Sequence, residues 1–276
     1  MSLVSPFEMF SQLSAGKAIG AFNVIQIEHA QAIVSAAEEM NAPVFLQLSQ
    51  NAIKYHGALA PIGLAMLSIA QASSAQVAVH LDHADDLTLI SEAISLGFNS
   101  IMFDGSHLTF ADNVSTTKSL SSKCRDAGIW LEAELGEIGG KDGVHSPTVR
   151  TKPGEAAAFV SETSVDGLAV AVGSSHAMTT KEAALDVDLI STIHKVVDVP
   201  LVLHGSSGVS DENIAAAIRA GIRKINVSTD LNQKMTQAIF EYLSANPNSH
   251  DPRKYLGAAR TAVKSAVSNY LHIFGY

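Results

Sequence analysis

The sequence is poorest in cysteine. Cys124 is the only one in 276 residues, which excludes an intramolecular disulfide framework and a zinc site built on several thiolates. Runs of basic residues are also missing, with 18 Lys and Arg against 27 Asp and Glu and a formal charge of −9. Nucleic-acid binding needs a concentrated basic face, so no nucleic-acid partner is expected. Tyr55 to Leu81 contains no Asp, Glu, Lys or Arg, but Pro61, Gln71, Ser73, Ser74, Gln76 and His80 interrupt it. No continuous apolar run of about 18 residues develops there. The stretch reads as a buried helix followed by a buried strand, and no membrane association is expected. The opening MSLVSPFEMF has no basic segment followed by an apolar one, so no signal peptide is expected and the expected location is a reducing cytoplasm. No linker or charge block divides the chain, so residues 1–276 are expected to form one domain, with 251–276 as a helical extension. An apolar fraction of 47% and a mean hydropathy of +0.19 exclude a disordered chain.

What the sequence does contain is alternation. Strand-like apolar runs fall at Ile19–Asn23, Val44–Leu48, Val77–Leu81, Ser100–Phe103, Ile129–Glu134, Gly167–Val172, Leu201–Leu203 and Lys224–Val227. Helical periodicity separates them, as at Glu28–Met40, Pro61–Ser73, Leu87–Leu96, Glu155–Glu162, Leu189–Val197 and Asp211–Ala220. Pro61 and Pro153 suit first helical turns, while Gly97, Gly128 and Gly221 stand where helices should stop. Strands each followed by a crossover helix form parallel sheet. The number of units and the length favour an α/β fold of the closed (β/α)8 TIM-barrel type, with one extra C-terminal helix. No G-x-G-x-x-G follows the first strand, which argues against an open dinucleotide-binding sheet.

Polar residues cluster at the C-terminal ends of these runs: Asn23, Ser49, Asp82, His83, Asp104, Glu134, His176, His204 and Asn226. In a barrel those ends converge on one face, where active sites are built. His83, His176 and His204 lie far apart in sequence, so only barrel closure brings them together. Three imidazoles with an open position suit a catalytic zinc acting as Lewis acid. Asp82, beside His83, could ligate the metal, orient a ligand or exchange a proton with substrate. Glu132 and Glu134 project to the same side of their strand, and Glu134 is placed to support the metal or serve as an alternative ligand. His80 and His107 read as supporting or structural residues, and His29, His56, His194, His250 and His272 as ordinary helix or loop histidines. Asp85 and Asp86 suit the start of the following helix.

Two segments look made for an oxyanion. His204-Gly-Ser-Ser-Gly208 follows strand seven and Asn226-Val-Ser-Thr229 follows strand eight, each ahead of a helix. Phosphate sites at these two loops recur in this fold. In a chain of charge −9, such nests are how a phosphorylated small molecule would be accommodated.

At these residues the chain resembles the class II, metal-dependent ketose-bisphosphate aldolases, including the fructose- and tagatose-bisphosphate enzymes. The resemblance spans almost the whole chain through AFNV (21–24), HLDHADD (80–86), EAELGEIGG (132–140), AVGSSHA (171–177), LVLHGSSG (201–208), KINVSTD (224–230) and DPRKYL (251–256). It implies reversible cleavage of a ketose 1,6-bisphosphate to dihydroxyacetone phosphate and an aldehyde phosphate, with fructose 1,6-bisphosphate the first substrate to test and tagatose 1,6-bisphosphate the second. His83, His176 and His204 would hold zinc, and Glu134 with Asp104 a second or resting metal position. Asp82 would exchange a proton with the C4 hydroxyl. Gly205, Ser206, Ser207, Asn226, Val227, Ser228 and Thr229 would hold the dihydroxyacetone phosphate half, with Zn2+ and a monovalent cation, Na+ or K+, as cofactors. Asn23 and Ser49 would touch substrate hydroxyls or the distal phosphate. Arg253 would reach the distal anion from a neighbouring subunit, implying a homodimer or homotetramer.

The chemistry is consistent with the residues independently, because the alternative electron sink is a Schiff-base lysine at a strand end. Lys224 falls at the start of strand eight, away from the mouth, and no other lysine is suitably placed. Departures from the family pattern bear on substrate. The glutamate usual after Gly-Gly is replaced in Gly139-Gly-Lys-Asp142-Gly, where Asp142 is the nearest candidate for a loop acid. Ala177 stands where a glycine usually follows the second histidine, and the usual lysine shortly after is absent or displaced to Lys181. Ser228 stands where fructose-type members tend to carry Asp and tagatose-type members Ala. The segment Val144–Lys152, with His145, Arg150 and Lys152, could read a distal carboxylate or sulfonate instead of a phosphate. A barrel metal hydrolase is disfavoured because the first strand ends in Asn23 and carries no His-x-His. A sugar-phosphate binder without turnover is the remaining alternative.

Overall fold

The structure, a computed structural model, describes residues 3–136, 149–176 and 178–276. Its strands are β1 (Ile19–Asn23), β2 (Val44–Ser49), β3 (Val77–Ala84), β4 (Ser100–Phe103), β5 (Trp130–Leu135), β6 (Gly167–Val170), β7 (Leu201–Leu203) and β8 (Ile222–Val227). All pair in parallel in chain order, and β8 closes on β1, with Gly20 opposite Ile225. The helices are α1 (Pro6–Ser11), α2 (Ile27–Met40), α3 (Gln50–His56), α4 (Leu59–Ala72), α5 (Leu87–Leu96), α6 (Phe110–Asp126), α7 (Pro153–Thr163), α8 (Val187–His194), α9 (Asp211–Ala220), α10 (Thr229–Ala245) and α11 (Pro252–Ile273). This is the TIM barrel expected from the alternation, with α11 as the extra C-terminal helix.

Helix ends follow local chemistry. Pro153 opens α7, where a missing N–H costs nothing. Gly97 closes α5 with φ 101°. Asp86 caps α5 by accepting from the Thr88 and Leu89 amides. Helix α6 was not among the periodic stretches singled out above, because its seventeen residues bury only a thin stripe that includes Val114, Leu120 and Cys124. β3 runs to Ala84, beyond the expected Leu81, and β6 stops at Val170, short of Val172. No single helix among the described residues is long and apolar enough to cross a membrane. Only α3 with α4, bent by 114°, passes by length and composition, and α4 buries Leu59, Ile62, Met66 and Leu67 in the core.

The interior is layered, because inward side chains recur every second residue along each strand. At the bottom, Ile19, Ala21, Phe45 and Ala78 pack together, as do Met102, Trp130, Ala169 and Val202. Helix α1 plugs this end: Phe10 stacks on Trp130 at 5.3 Å between ring centroids and lies 6.0 Å from Phe45. Two residues further along the strands come Gln47, His80, Glu132 and His204, all buried and polar. Outside the sheet, the main core lies between strands and helices, and Tyr270, Leu271 and Phe274 dock the end of the chain against it. Phe274 stacks on Phe22 of β1.

Trp130 is 1% exposed, and a Cβ on Gly167 would meet its ring at 2.3 Å. Trp130→Ala should therefore cost about 3–5 kcal/mol of stability, read as an earlier urea transition by circular dichroism.

Candidate active site

The mouth is built on a local departure from regular strand geometry. Consecutive strand residues point to opposite faces, yet Asp82 and His83 both serve the mouth, His83 Nε2 lying 4.0 Å from Asp82 Oδ1. His83 has φ +50°, and the β3–β4 register shifts between Leu81 and Ala84. A left-handed conformation at a non-glycine residue costs about 1–2 kcal/mol, and strain of this kind collects at functional sites.

Three imidazoles converge. Ring centroids of His83 lie 5.0 Å from His176 and 4.6 Å from His204, and His176 lies 5.8 Å from His204. One nitrogen from each can meet within 4.8 Å of the others, and His83, Asp104 and Glu134 form a second such group. His83 belongs to both: Nδ1 is 2.9 Å from Asp104 Oδ2 and 3.7 Å from Glu134 Oε2, while Nε2 is 2.9 Å from His204 Nδ1. His204 Nε2 is 2.8 Å from Glu132 Oε1. An ionised carboxylate only accepts, so Asp104 and Glu132 draw the N–H to the outer edge of each ring. His83 Nε2 and His204 Nδ1 are then left as facing lone pairs, which a cation bound between them would satisfy. The donor set therefore suits a divalent metal.

Electrostatics agree. Burial pushes His204 down to about 4, against the pull of Glu132, so it is neutral and able to ligate. Burial also pushes His80 down to about 3, with the Lys224 charge adding to the effect. His80 hydrogen-bonds Ser100 at 2.6 Å in the barrel interior, as a structural residue would. Burial opposes ionisation of Asp82, but the charge that its neighbours His83, His204 and His80 carry in acid, with that of Lys224, outweighs it and holds its carboxyl well below the usual range. Asp82 accepts from Asn23 Nδ2 at 2.9 Å and Asn226 Nδ2 at 3.3 Å.

The two anion loops are stitched together. Ser206 Oγ donates to the Asn226 carbonyl, and Ser207 Oγ accepts from the Asp230 amide at 3.2 Å. Gly205 has φ +65°, and a Cβ there would meet the Ser175 backbone at 2.6 Å, so glycine is needed where the β6 and β7 loops cross. A cavity of about 190 Å³ opens over the imidazoles, lined by Asn23, Ser49, Asp82, Gly205, Ser206, Ser207, Asn226, Ser228 and Thr229. Ser49 also caps α3, accepting from the Ala52 amide at 3.2 Å. Val227 is buried in the core beneath this rim.

Some expectations fall elsewhere. Asp142, Ala177 and His145 lie outside the described residues. Among the described residues Arg253 joins no other candidate site residue of its own chain; its guanidinium pairs with Asp251 at 2.8 Å. Lys181 pairs with Asp211, and Lys152 with Glu155 at 2.7 Å. His107 is exposed in a turn. Lys224 was expected away from the mouth, but its inward side chain climbs toward it. Its ammonium lies 2.8 Å from Asn226 Oδ1, 2.9 Å from Gln47 Oε1 and 2.8 Å from Glu132 Oε2. Sequence reasoning missed Asn51 and Ser175 on the rim and Gln47 beneath Asn23. Ser175 was within reach, as the residue before His176 in a polar strand-end segment.

With this geometry established, comparison decides the family. The profile described as fructose-bisphosphate aldolase class-II matches residues 7–276. The chain belongs to the class II fructose-bisphosphate aldolase family. Members of this family are aldehyde-lyases and generally depend on a metal. The fructose-bisphosphate aldolases of Thermus caldophilus and Geobacillus stearothermophilus are each 38% identical to it, over 99% and 100% of this chain and 98% of each relative. The crystal structure of the YdjI aldolase from Escherichia coli K12 is 34% identical and superposes with a TM-score of 0.83, covering 94% of this chain and 92% of that one.

If the three imidazoles hold the family's metal, His204→Ala should lose bound divalent metal on dialysis while His107→Ala retains it, read by elemental analysis of the protein.

Proposed function

We propose that the protein is a zinc-dependent aldolase that cleaves a ketose 1,6-bisphosphate to dihydroxyacetone phosphate and an aldehyde phosphate. Fructose 1,6-bisphosphate is the leading substrate and tagatose 1,6-bisphosphate the second. The observation that carries this reading is the meeting of His83, His176 and His204, with the Asp82 carboxyl 4.0 Å from His83 Nε2.

Zinc held by the three imidazoles would supply a Lewis acid for the ketose carbonyl, favouring the negative charge that carbon–carbon cleavage leaves on the dihydroxyacetone phosphate half. Asp82, oriented by the Asn23 and Asn226 amides, takes the proton of the C4 hydroxyl as the C3–C4 bond breaks. The backbone around Gly205–Ser207 and the N-terminus of α10 at Ser228 and Thr229 offer N–H groups to the phosphate. The Ser206 hydroxyl is already committed to the Asn226 carbonyl, so that residue contributes through its backbone. A Schiff-base route has little support, since the Lys224 ammonium is buried against Glu132, Gln47 and Asn226. A monovalent cation near the phosphate, Asp142 as loop acid and Arg253 reaching across a dimer complete the reading. Arg150, whose guanidinium lies beside Gly173 ahead of the His176 segment, is a candidate to read the distal anion, whether phosphate, carboxylate or sulfonate.

The test is release of dihydroxyacetone phosphate from fructose 1,6-bisphosphate, with chelator and zinc add-back. Chelator-sensitive release restored by zinc supports the proposal. No release from zinc-loaded protein on either bisphosphate, set against a carboxylate- or sulfonate-bearing ketose 1-phosphate, would transfer it to the other distal anion. Asp82→Ala should keep its zinc and lose about 10²–10⁴-fold in kcat. Gly205→Ala should raise KM about tenfold, or about 1.4 kcal/mol of binding.

A further inference from the structure

The chemistry above gives Lys224 no task, yet a fully buried ammonium is costly to keep. Its side chain is 0% exposed, and a methionine would fill much the same space without a charge. The Gln47 and Asn226 side-chain oxygens fix the position of Nζ. The third neighbour is Glu132 Oε2 at 2.8 Å, and among the described residues no other hydrogen bond reaches that oxygen. The opposite oxygen, Oε1, faces His204 Nε2 at 2.8 Å. The carboxylate is thus held at one end by Lys224 and turned at the other toward the ring. A carboxylate on one nitrogen of a metal-binding imidazole sets which nitrogen carries the proton and which is free to ligate. The Asn226 amide, 3.2 Å from Nε2 and 3.4 Å from Nδ1, could donate to either nitrogen and so cannot make that choice.

We propose that Lys224 is a positioning residue that clamps Glu132 so that His204 keeps its proton on Nε2 and presents Nδ1 to the metal beside His83 Nε2. The inference rests on the zinc reading for its consequence, but the clamp itself can be tested without turnover.

The experiment is a double-mutant cycle of Lys224→Met and Glu132→Gln, reading zinc affinity by competition with a chromophoric chelator. Lys224→Met should weaken zinc binding tenfold or more in the otherwise wild-type chain and less than threefold in the Glu132→Gln background. Equal losses in both backgrounds, or no loss in either, would overturn the proposal. The double variant has neither member of the ion pair. If Lys224→Met alone does not fold, zinc affinity of the double variant within threefold of Glu132→Gln supports the clamp, and a tenfold deficit overturns it. In metal-free protein, long-range 15N–1H spectra should show His204 protonated on Nε2 in the wild type and as a tautomer mixture in Lys224→Met. An unchanged single tautomer in the variant would overturn the proposal. A wild type that bound no zinc would remove the zinc reading, and the tautomer would still decide the role of Lys224.

Discussion

A closed barrel gives a buried charge no route to water, so polar side chains inside it must satisfy one another. Burying a single ion costs several kcal/mol even after relaxation, and this interior holds Asp82, Glu132, Glu134 and Lys224 above an apolar floor. The Lys224–Glu132 pair lies at the centre of this arrangement. From it one path runs to His204, whose ring faces His83, and another runs through Gln47 and Asn23 to Asp82. The candidate metal ligand His204 and the candidate base are therefore two ends of one hydrogen-bonded network. Its members fix each other's orientation more firmly than loop residues could.

The barrel contributes the other half by arranging heights. Apolar side chains fill the layer that α1 closes, and the next inward position on several strands is polar. The mouth lies above, where strands give way to loops and backbone N–H groups become free for an anion. His83 is where regular geometry had to yield, because β3 delivers two consecutive residues to one face. The local strain is offset by the packing and ladder pairing of the rest of the strand.

Much of this was legible in the sequence. Apolar runs alternating with helical periodicity gave the barrel, and polar residues at the ends of those runs marked its mouth, including all three imidazoles. Strand limits were legible only approximately, since β3 continues through polar Asp82 and His83, where an apolar run has already ended. The barrel interior was harder to read. Gln47 lies within an apolar run, and nothing local marks it as the partner of Lys224, which is 177 residues away in sequence. Lys224 was placed by its Cα, at the base of a strand, whereas its long side chain delivers the charge far from that point. Arg253 shows the reverse case: its motif is recognisable, but among the described residues of its own chain the guanidinium pairs with Asp251.

The floor of the barrel has a spectroscopic consequence. Trp130 is the only tryptophan in the chain and stacks on Phe10 of the helix that plugs the bottom. His80, whose ring centroid is 6.4 Å away, belongs to the polar layer that separates it from the mouth. Intrinsic fluorescence is therefore a reporter of whether α1 is seated and the barrel closed. Occupancy of the mouth would leave it nearly silent, so the protein's own emission distinguishes loss of fold from loss of ligand.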